Sequence, residues 1–489
     1  MTKSIETFEF ENQFQMVHQK SSHNLPLCSI HLFCDIGSSY ETDELRGISH
    51  FLEHMMFQGT KTKTSVQMFE QYDRMGTNIN AFTTKRYTCY LIKCHEKYAI
   101  EVLQLLSDMI FNTTIDPMRI EKETDVIKEE NFREDDKFFN LLKEAFESKI
   151  YQYSSFEEPI DNIRFHERQN TISEEEIIKW YKWFYIPSNM VMSIVSSKTG
   201  VFWRDHLSKT DFMKNYKKTV KPEKALDYPV SIPYDTNIEY ITVLEPTCLN
   251  TQVLIGFRTV NQYSDKKYLF ELLTHILNGM SGILFSTLRQ KYNLVYSVNA
   301  EIEHQEYTGY FSIQTECKNR NFIHKQNHKS VLAILLTILR HLVINGVDEK
   351  EFTIARERIK NMYQIDSENI DTFAKYNGEE QLLYLRDTNQ SRHHKKDVII
   401  PYLDIYTTHF EHITIDQINQ VIREYFQFKN MVISVISNHP PSVSKLKYLC
   451  ETMFQNKNKN KNQNQNNSKK QSMKGKNHNT TKKNTLDTI

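Results

Sequence analysis

Two near-identical segments stand far apart in this chain, NMVMSIVSS at 189–197 and NMVISVIS at 430–437. Each is a run of β-branched and apolar residues of strand length and reads as a strand. A chain that closes both of its halves on the same strand is constrained by that repeat more than by any local propensity. Whatever the first half folds into, the second is expected to fold into again. The segments before each repeat agree. In the first half LCSIHLFCDIG (27–37) reads as a strand ending at a Gly turn, and RYTCYLIKC (86–94) as another. SVQMFEQYDRMG (65–76) reads as a helix stopped by Gly76, and YAIEVLQLLSDMIFN (98–112) as a helix with one apolar stripe. In DPMRIEKETDVIKEENF, Asp116 stands as N-cap and Pro117 at the first helical position. The second half repeats strands (TQVLIGFRTV, YTGYFSIQTEC) and helices (YLFELLTHILNG, SVLAILLTILRHLVING). The expected fold class is α+β, with two duplicated α/β sandwich domains, each a mostly antiparallel sheet with helices packed on one face.

Pro222, Pro229, Pro233 and Pro246 fall in a polar stretch, which reads as a linker over 221–246. That leaves a first domain over 1–220 and a second over 247–454. From Gln455 to Ile489 the chain is Asn, Lys and Gln, with nine Lys and one Asp, and has too little apolar surface to offset its ordering entropy. The zero formal net charge of the whole therefore divides into a basic tail and an acidic body, so the body carries no general footprint for nucleic acid. The seven cysteines lack any C-x-x-C pattern and read as buried thiols of a reducing compartment. The first residues show neither a signal nor a transit pattern, so an intracellular, cytoplasmic location is the default expectation. VLAILLTIL (331–339) is about half of a spanning helix, and no membrane span is expected.

GISHFLEHMMFQGT (47–60) carries the chemistry. On a helix, His50, Glu53 and His54 project together, since i, i+3 and i+4 share a side. Two imidazoles with a carboxylate between them suit a zinc site with a base beside it. Catalytic zinc takes three protein ligands and one open position. The helix opening at Asp116 offers the third: Glu123 and Glu130 are seven residues apart and share a face, whereas Glu129 is rotated about 100° away.

With these residues in view, GSSYETDELRGISHFLEHMMFQGTKTKT resembles the signature of the pitrilysin-type zinc metallopeptidases, the inverzincins, and in particular the mitochondrial processing peptidase beta-subunit branch and its bacterial relatives. NINAFTTKRYTCYLIKC, EKETDVIKEENFREDD and LFSTLRQKYNLVYSV follow the same family in order, and the likeness covers about residues 15–445. Ile283 stands where the family commonly has Arg, and several of its loop glycines are missing here. The resemblance implies one Zn²⁺ per chain on His50, His54 and Glu130, the last being 76 residues after His54. It implies Glu53 as general base, Glu123 as the acid that supports a ligand histidine, and Asn80 and Ala81 on a strand that pairs with an extended substrate. It also implies that Arg289 and Tyr296, seven apart, reach a bound peptide. Without it, Arg289 reads as a solvated helix residue and Tyr296 as strand core. The implied activity is endopeptidase cleavage of unfolded peptides or presequence-like segments inside a clamshell chamber. A chain of this length would form half of such a chamber, as a homodimer or as a heterodimer with a related subunit. The competing reading is a non-catalytic structural or assembly subunit of the same fold, although such relatives tend to lose the His or Glu positions that are intact here.

Overall fold

The computed structural model describes residues 5–21, 25–131, 134–160, 173–214, 239–323, 329–389 and 399–455. Among these residues eleven strands form two sheets. The first contains β1 (Ile5–Glu9), β2 (Gln15–Lys20), β3 (Leu27–Cys34), β4 (Asn78–Thr83), β5 (Thr88–His95) and β6 (Met190–Ser196), in the order β1-β2-β6-β3-β5-β4. The second contains β7 (Glu239–Leu244), β8 (Asn250–Thr259), β9 (Val295–His304), β10 (Gly309–Lys318) and β11 (Met431–Ser437), in the order β7-β11-β8-β10-β9. Without β1 the two orders are the same, strand for strand. In both, the first and last strands of the repeat run parallel and all other neighbours run antiparallel. The duplication read from the two NMV segments is therefore the topology of the molecule. The shared Asn has a matching task in each half. Asn189 donates through Nδ2 to the carbonyls of Asp35 (3.1 Å) and Phe184 (3.0 Å), and Asn430 to those of Arg258 (2.9 Å) and Tyr425 (3.0 Å).

The helices of the first half are α1 (Ile48–Met55), α2 (Ser65–Met75), α3 (Ala99–Asn112), α4 (Pro117–Asn131), α5 (Glu134–Ile150), α6 (Glu174–Phe184) and α7 (Gly200–Leu207). The longer helices of the second half are α8 (Lys267–Leu277), α9 (Val331–Asn345), α10 (Glu349–Asp366), α11 (Ile370–Asn389), α12 (Ile415–Tyr425) and α13 (Val443–Gln455). One face of the first sheet (Ile30, Leu32, Met192, Ile194) packs under Leu52, Leu103, Leu106, Trp180 and Trp203. The matching face of the second (Val253, Ile255, Ile433, Val435) packs under Leu273, Ile276, Leu335, Leu339 and Ile422. The apolar run at 331–339 lies in this core. Among the described residues no single helix is long and apolar enough to cross a membrane. All seven cysteines are buried and unpaired.

The other face of each sheet is covered by a helix from the opposite half. Helix α5 lies on the second sheet, where Leu142, Phe146 and Ile150 meet Leu254, Val432 and Ile436. Helix α11 lies on the first, where Leu382 and Leu385 meet Val17, Phe33 and Val191, while Phe373 and Ala374 meet Val195. Close approach is bought with glycine on both sides of this exchange. A Cβ on Gly256 would come within 2.6 Å of the Phe146 ring, and one on Gly378 would run into the Phe33 ring. Polar groups lock the contacts. Lys85 of the first half pairs with Glu147 of α5 at 2.7 Å, both buried, and Tyr310 of the second sheet donates to Glu303 (2.8 Å) and Glu147 (3.2 Å). Buried Arg258 donates to the last carbonyls of α5, those of Ile150 (2.8 Å) and Lys149 (2.6 Å), where the helix dipole favours a cation. Across the first sheet, Ser29 donates to Asp371 (2.6 Å), Asn377 to Gln19 (2.8 Å) and Gln381 to Gln15 (2.8 Å).

One boundary is corrected. Residues 239–244, inside the stretch read as a linker, form edge strand β7, which pairs in parallel with β11. The proline signal marked the stretch as irregular, but Pro222, Pro229 and Pro233 all precede the described strand and Pro246 follows it, leaving the β-branched EYITVL free to pair. Residues 221–238 of that reading, and the tail beyond Gln455, lie outside the described residues.

Because each sheet is closed by the other half, the two halves should melt as one unit. Phe146→Ala, a substitution in the first half, should remove about 3–5 kcal/mol from a single calorimetric transition; two separate transitions would contradict this. A second expectation concerns acid. His31 is 2% exposed, and burial, only partly opposed by Asp371, lowers its pKa to about 4. The unfolded chain therefore takes up the proton first as pH falls below about 6.5, and this site alone should cost about 2 kcal/mol between pH 7 and pH 5. His31→Leu should flatten the dependence by that amount in denaturant melts at the two pH values.

Candidate metal centre

Helix α1 is short and its position is set from both ends. Gly47 precedes it at φ +89°, a left-handed conformation that favours glycine. The buried carboxylate of Glu41 accepts the N–H groups of Gly47 (2.7 Å) and Ser49 (2.8 Å), so a side chain six residues upstream caps this helix start. Burial pushes the Glu41 carboxyl up to about 7, against the pull of the same two N–H groups. Ile48, Phe51, Leu52 and Met55 form the face turned into the core. That leaves His50 and His54 half-buried on the adjoining face, with Glu53 buried between them at 7% exposure.

The turn after α1 is joined to the turn before α4 by the Thr60–Thr113 bridge and by the N–H groups of Lys61 and Thr114, which bond to the carbonyls of Asn112 (2.8 Å) and Gly59 (3.1 Å). Asp116 caps α4 as its sequence predicts, accepting the N–H of Arg119 at 3.2 Å. The two helices are thereby held side by side. Glu123, 4% exposed, lies 3.3 Å from Nδ1 of His54 and accepts Nε2 of Gln58 at 2.5 Å. Glu130, one face-repeat later, lies 3.4 Å from Nε2 of the same ring. The His50 and His54 rings are 4.7 Å apart and nearly perpendicular. One donor atom each from His50, His54 and Glu130 falls within 4.8 Å of the others, the one such group among the described residues.

Two nitrogens and one carboxylate oxygen are the donor set that zinc takes in catalytic sites, so the residues fit that ion. The electrostatics fit a cation as well. Burial alone would lower the His54 pKa, yet Glu123, Glu130 and Glu53 outweigh it and push it up to about 10. With Nδ1 facing Glu123, the Nε2 nitrogen is the one turned towards Glu130 and His50.

Glu53 is fixed from a third element: Thr83 Oγ1, at the end of β4, donates to its Oε2 at 2.6 Å. Strand β4 is the outer edge of the first sheet, so Asn80 and Ala81 sit on a strand with one side unpaired. Asn80 is exposed and its Oδ1 accepts the N–H of Ala81 at 2.9 Å. Arg289 and Tyr296 are brought to each other instead. The guanidinium lies 5.0 Å from the centre of the Tyr296 ring and donates to the Val295 carbonyl at 3.0 Å. Tyr296 is 81% exposed, which overturns the strand-core reading of that position. Both line a cavity of about 700 Å³ in the second half, together with Tyr292, Lys318 and Arg320, and its lining includes no member of the metal cluster.

Glu41 and Gln58 escape a reading of the sequence. A capping box has its acid three residues after the cap, whereas Glu41 reaches Gly47 and Ser49 through a turn that no spacing rule describes. Thr83 stands in a quoted motif, but its bond to Glu53 is visible only once β4 and α1 are in place. Glu41→Ala should lower stability by about 1–2 kcal/mol in thermal melts and weaken zinc affinity about 10–100-fold, with Glu41→Gln intermediate.

The chain matches two family models, insulinase (peptidase family M16) over residues 16–162 and the peptidase M16 inactive domain over 171–359, together more than two thirds of its length. It is 26% identical over 415 residues to an uncharacterised zinc protease of Bacillus subtilis, YmxG, spanning 84% of this chain and 94% of that one. Over 158 residues, 32% of each chain, it is 32% identical to cytochrome b-c1 complex subunit 1 of Rattus norvegicus. A protease from Helicobacter pylori has the same fold, with a TM-score of 0.77 at 18% identity over 89% of this chain and 100% of that one. The periplasmic protease PqqL of Escherichia coli also has it, with a TM-score of 0.69 at 16% identity over 93% of this chain and 50% of that one. The chain belongs to the M16 family of peptidases.

Proposed function

We propose that the chain is a zinc-dependent endopeptidase acting on extended, unfolded peptides. The observation that carries this reading is the convergence of His50, His54 and Glu130 beside a buried Glu53 that is itself held against an edge strand. A zinc ion on those three residues supplies a Lewis acid that polarises a carbonyl and brings water ionisation near neutral pH. Glu53 takes the proton of the attacking water and returns it to the leaving amine. Thr83 holds one carboxylate oxygen of Glu53 and so fixes the carboxylate for that transfer. Glu123 fixes the His54 ring through Nδ1. A substrate adds as a strand to β4, along Asn80 and Ala81, beside Glu53. The Asn80 side chain, which now accepts the Ala81 N–H, turns away to admit it.

Arg289 and Tyr296 hold the peptide from the opposite wall of a chamber. The cavity they line includes no residue of the metal centre of their own chain, which favours a dimer in which each chain completes the site of the other. The match to half of PqqL supports this, since a chain of twice the length carries in one molecule what two copies would assemble. The alternative is a non-catalytic subunit, in keeping with the name of the second family model. The intact His50, Glu53, His54 and Glu130 set argues for the enzyme.

The test is cleavage of an unstructured, internally quenched peptide of about 20–30 residues, long enough to cross a chamber when extended. Wild type should cut it and a chelator should stop it. Glu53→Gln should lose about 10²–10⁴ in kcat while still holding zinc, whereas His54→Ala or Glu130→Gln should lose the metal. Zinc-loaded wild type that cuts nothing, or Glu53→Gln that still cuts, would defeat the reading. Mixing Glu53→Gln with Tyr296→Phe protein should restore activity if the site is shared between chains, and should not if it lies within one.

A further inference from the structure

A second cavity, of about 320 Å³, lies between α8, α10, α11 and the turn at 402–405. None of its lining residues belongs to the metal cluster or to the Arg289 cavity. Its position in the duplication is pointed. Helix α8 follows β8 as α1 follows β3, so the helix that carries His50, Glu53 and His54 in the first half has a topological counterpart that lines this pocket in the second.

The wall is aromatic. The ring of Tyr402 lies 5.0 Å from that of Tyr363 and 5.5 Å from that of Tyr376, centre to centre. Into the same space project the carboxylates of Glu271, Asp366 and Glu380, against one ammonium, that of Lys267. His275, also in the lining, stays neutral, because burial lowers its pKa to about 4. Glu271 accepts one hydrogen bond, from Tyr363 at 2.9 Å. Glu380 has no hydrogen bond or ion pair among the described residues. Burial raises the pKa of both carboxyls despite the opposing charge of Lys267. Three carboxylates facing one ammonium around a partly desolvated cavity are costly to the fold, and a chain that keeps them there gains something from them.

The surplus negative charge calls for a cation, and the geometry says which kind. The carboxylate oxygens do not converge on one point: among the described residues, only His50, His54 and Glu130 bring ligand atoms within 4.8 Å of each other. A single inorganic ion would therefore be poorly coordinated. Tyrosine faces attract a cation spread over carbon and nitrogen, and the volume suits a small organic group. We propose that this cavity binds an organic cation, an alkylammonium or guanidinium group, whose charge lies between Glu271 and Glu380 and whose body lies on the rings of Tyr363, Tyr376 and Tyr402. The group belongs either to a free small molecule or to a basic side chain of a peptide.

Isothermal titration of the zinc-loaded, full-length protein with 1,4-diaminobutane and with N-acetyl-arginine amide at physiological salt tests this. At least one should bind saturably, one per chain. Tighter binding of the diamine identifies a free amine as the occupant; tighter binding of the blocked arginine identifies a peptide side chain. Glu380→Gln keeps the shape and removes no hydrogen bond among the described residues, so it should fold. It should raise the Tm of the free protein while weakening the bound probe at least tenfold. Tyr402→Leu should weaken it as well. Failure of both probes to bind, or affinity unchanged by Glu380→Gln or by Tyr402→Leu, overturns the proposal.

Discussion

Helices α5 and α11 change places. Each leaves the half that encodes it and covers the open face of the other half's sheet, so the central strands of both sheets are buried on both sides. Burial on both faces explains why β6 and β11 carry no charged residue and do not alternate, since residues pointing either way along the strand meet a core. It also explains the buried charges. Lys85, Glu147 and Glu303 lie where a loop of the first half, a helix of the first half and a strand of the second meet, and each is satisfied by groups from across that junction. Removing one partner would strand the others without water.

The metal centre depends on this frame indirectly. Its ligands come from two helices, α1 and α4, that are bound to each other by backbone hydrogen bonds around Gly59 and Thr113 rather than by a large shared core. Helix α4 is followed in the chain by α5, whose far end is clamped by Arg258 of the second sheet. Glu130 is therefore carried on a segment that joins the two halves. The inner carboxylate of the pair, Glu123, is buried and bonded twice, whereas Glu130 is exposed. Under the proposed function, a rigid acid would orient the ring and an accessible one would meet an ion.

Duplication has left the two halves with the same strand order and different chemistry. After β3 comes a helix with two histidines and an acid; after β8 comes one with Glu271 and His275, walled by tyrosines. The first half also offers a free edge, β4, next to its acid. The corresponding edge of the second sheet, β9, instead presents Tyr296 with Arg289 stacked on it. Complementary features on separate halves are what an assembly of two copies can bring face to face.

Much of this was legible in the chain. Apolar periodicity and the Gly and Asp caps located β3, β5, α3, α4 and α9, because those signals act between residues a few positions apart. The spacing of His50, Glu53 and His54 placed the three side chains together on one helix, and the seven-residue step from Glu123 to Glu130 put the candidates for a third member on one helix face. Beyond that the residues reading left both open, and only the packing of α4 on α1 put Glu123 against Nδ1 and Glu130 against Nε2 of one ring. The edge strand hidden among prolines, the cap supplied by Glu41 and the exposure of Tyr296 were likewise decided in three dimensions. Local patterns record what a segment prefers. Which segment covers which face, and which side chain meets another from a hundred residues away, is settled by chain closure and burial, which leave no mark within any one window of sequence.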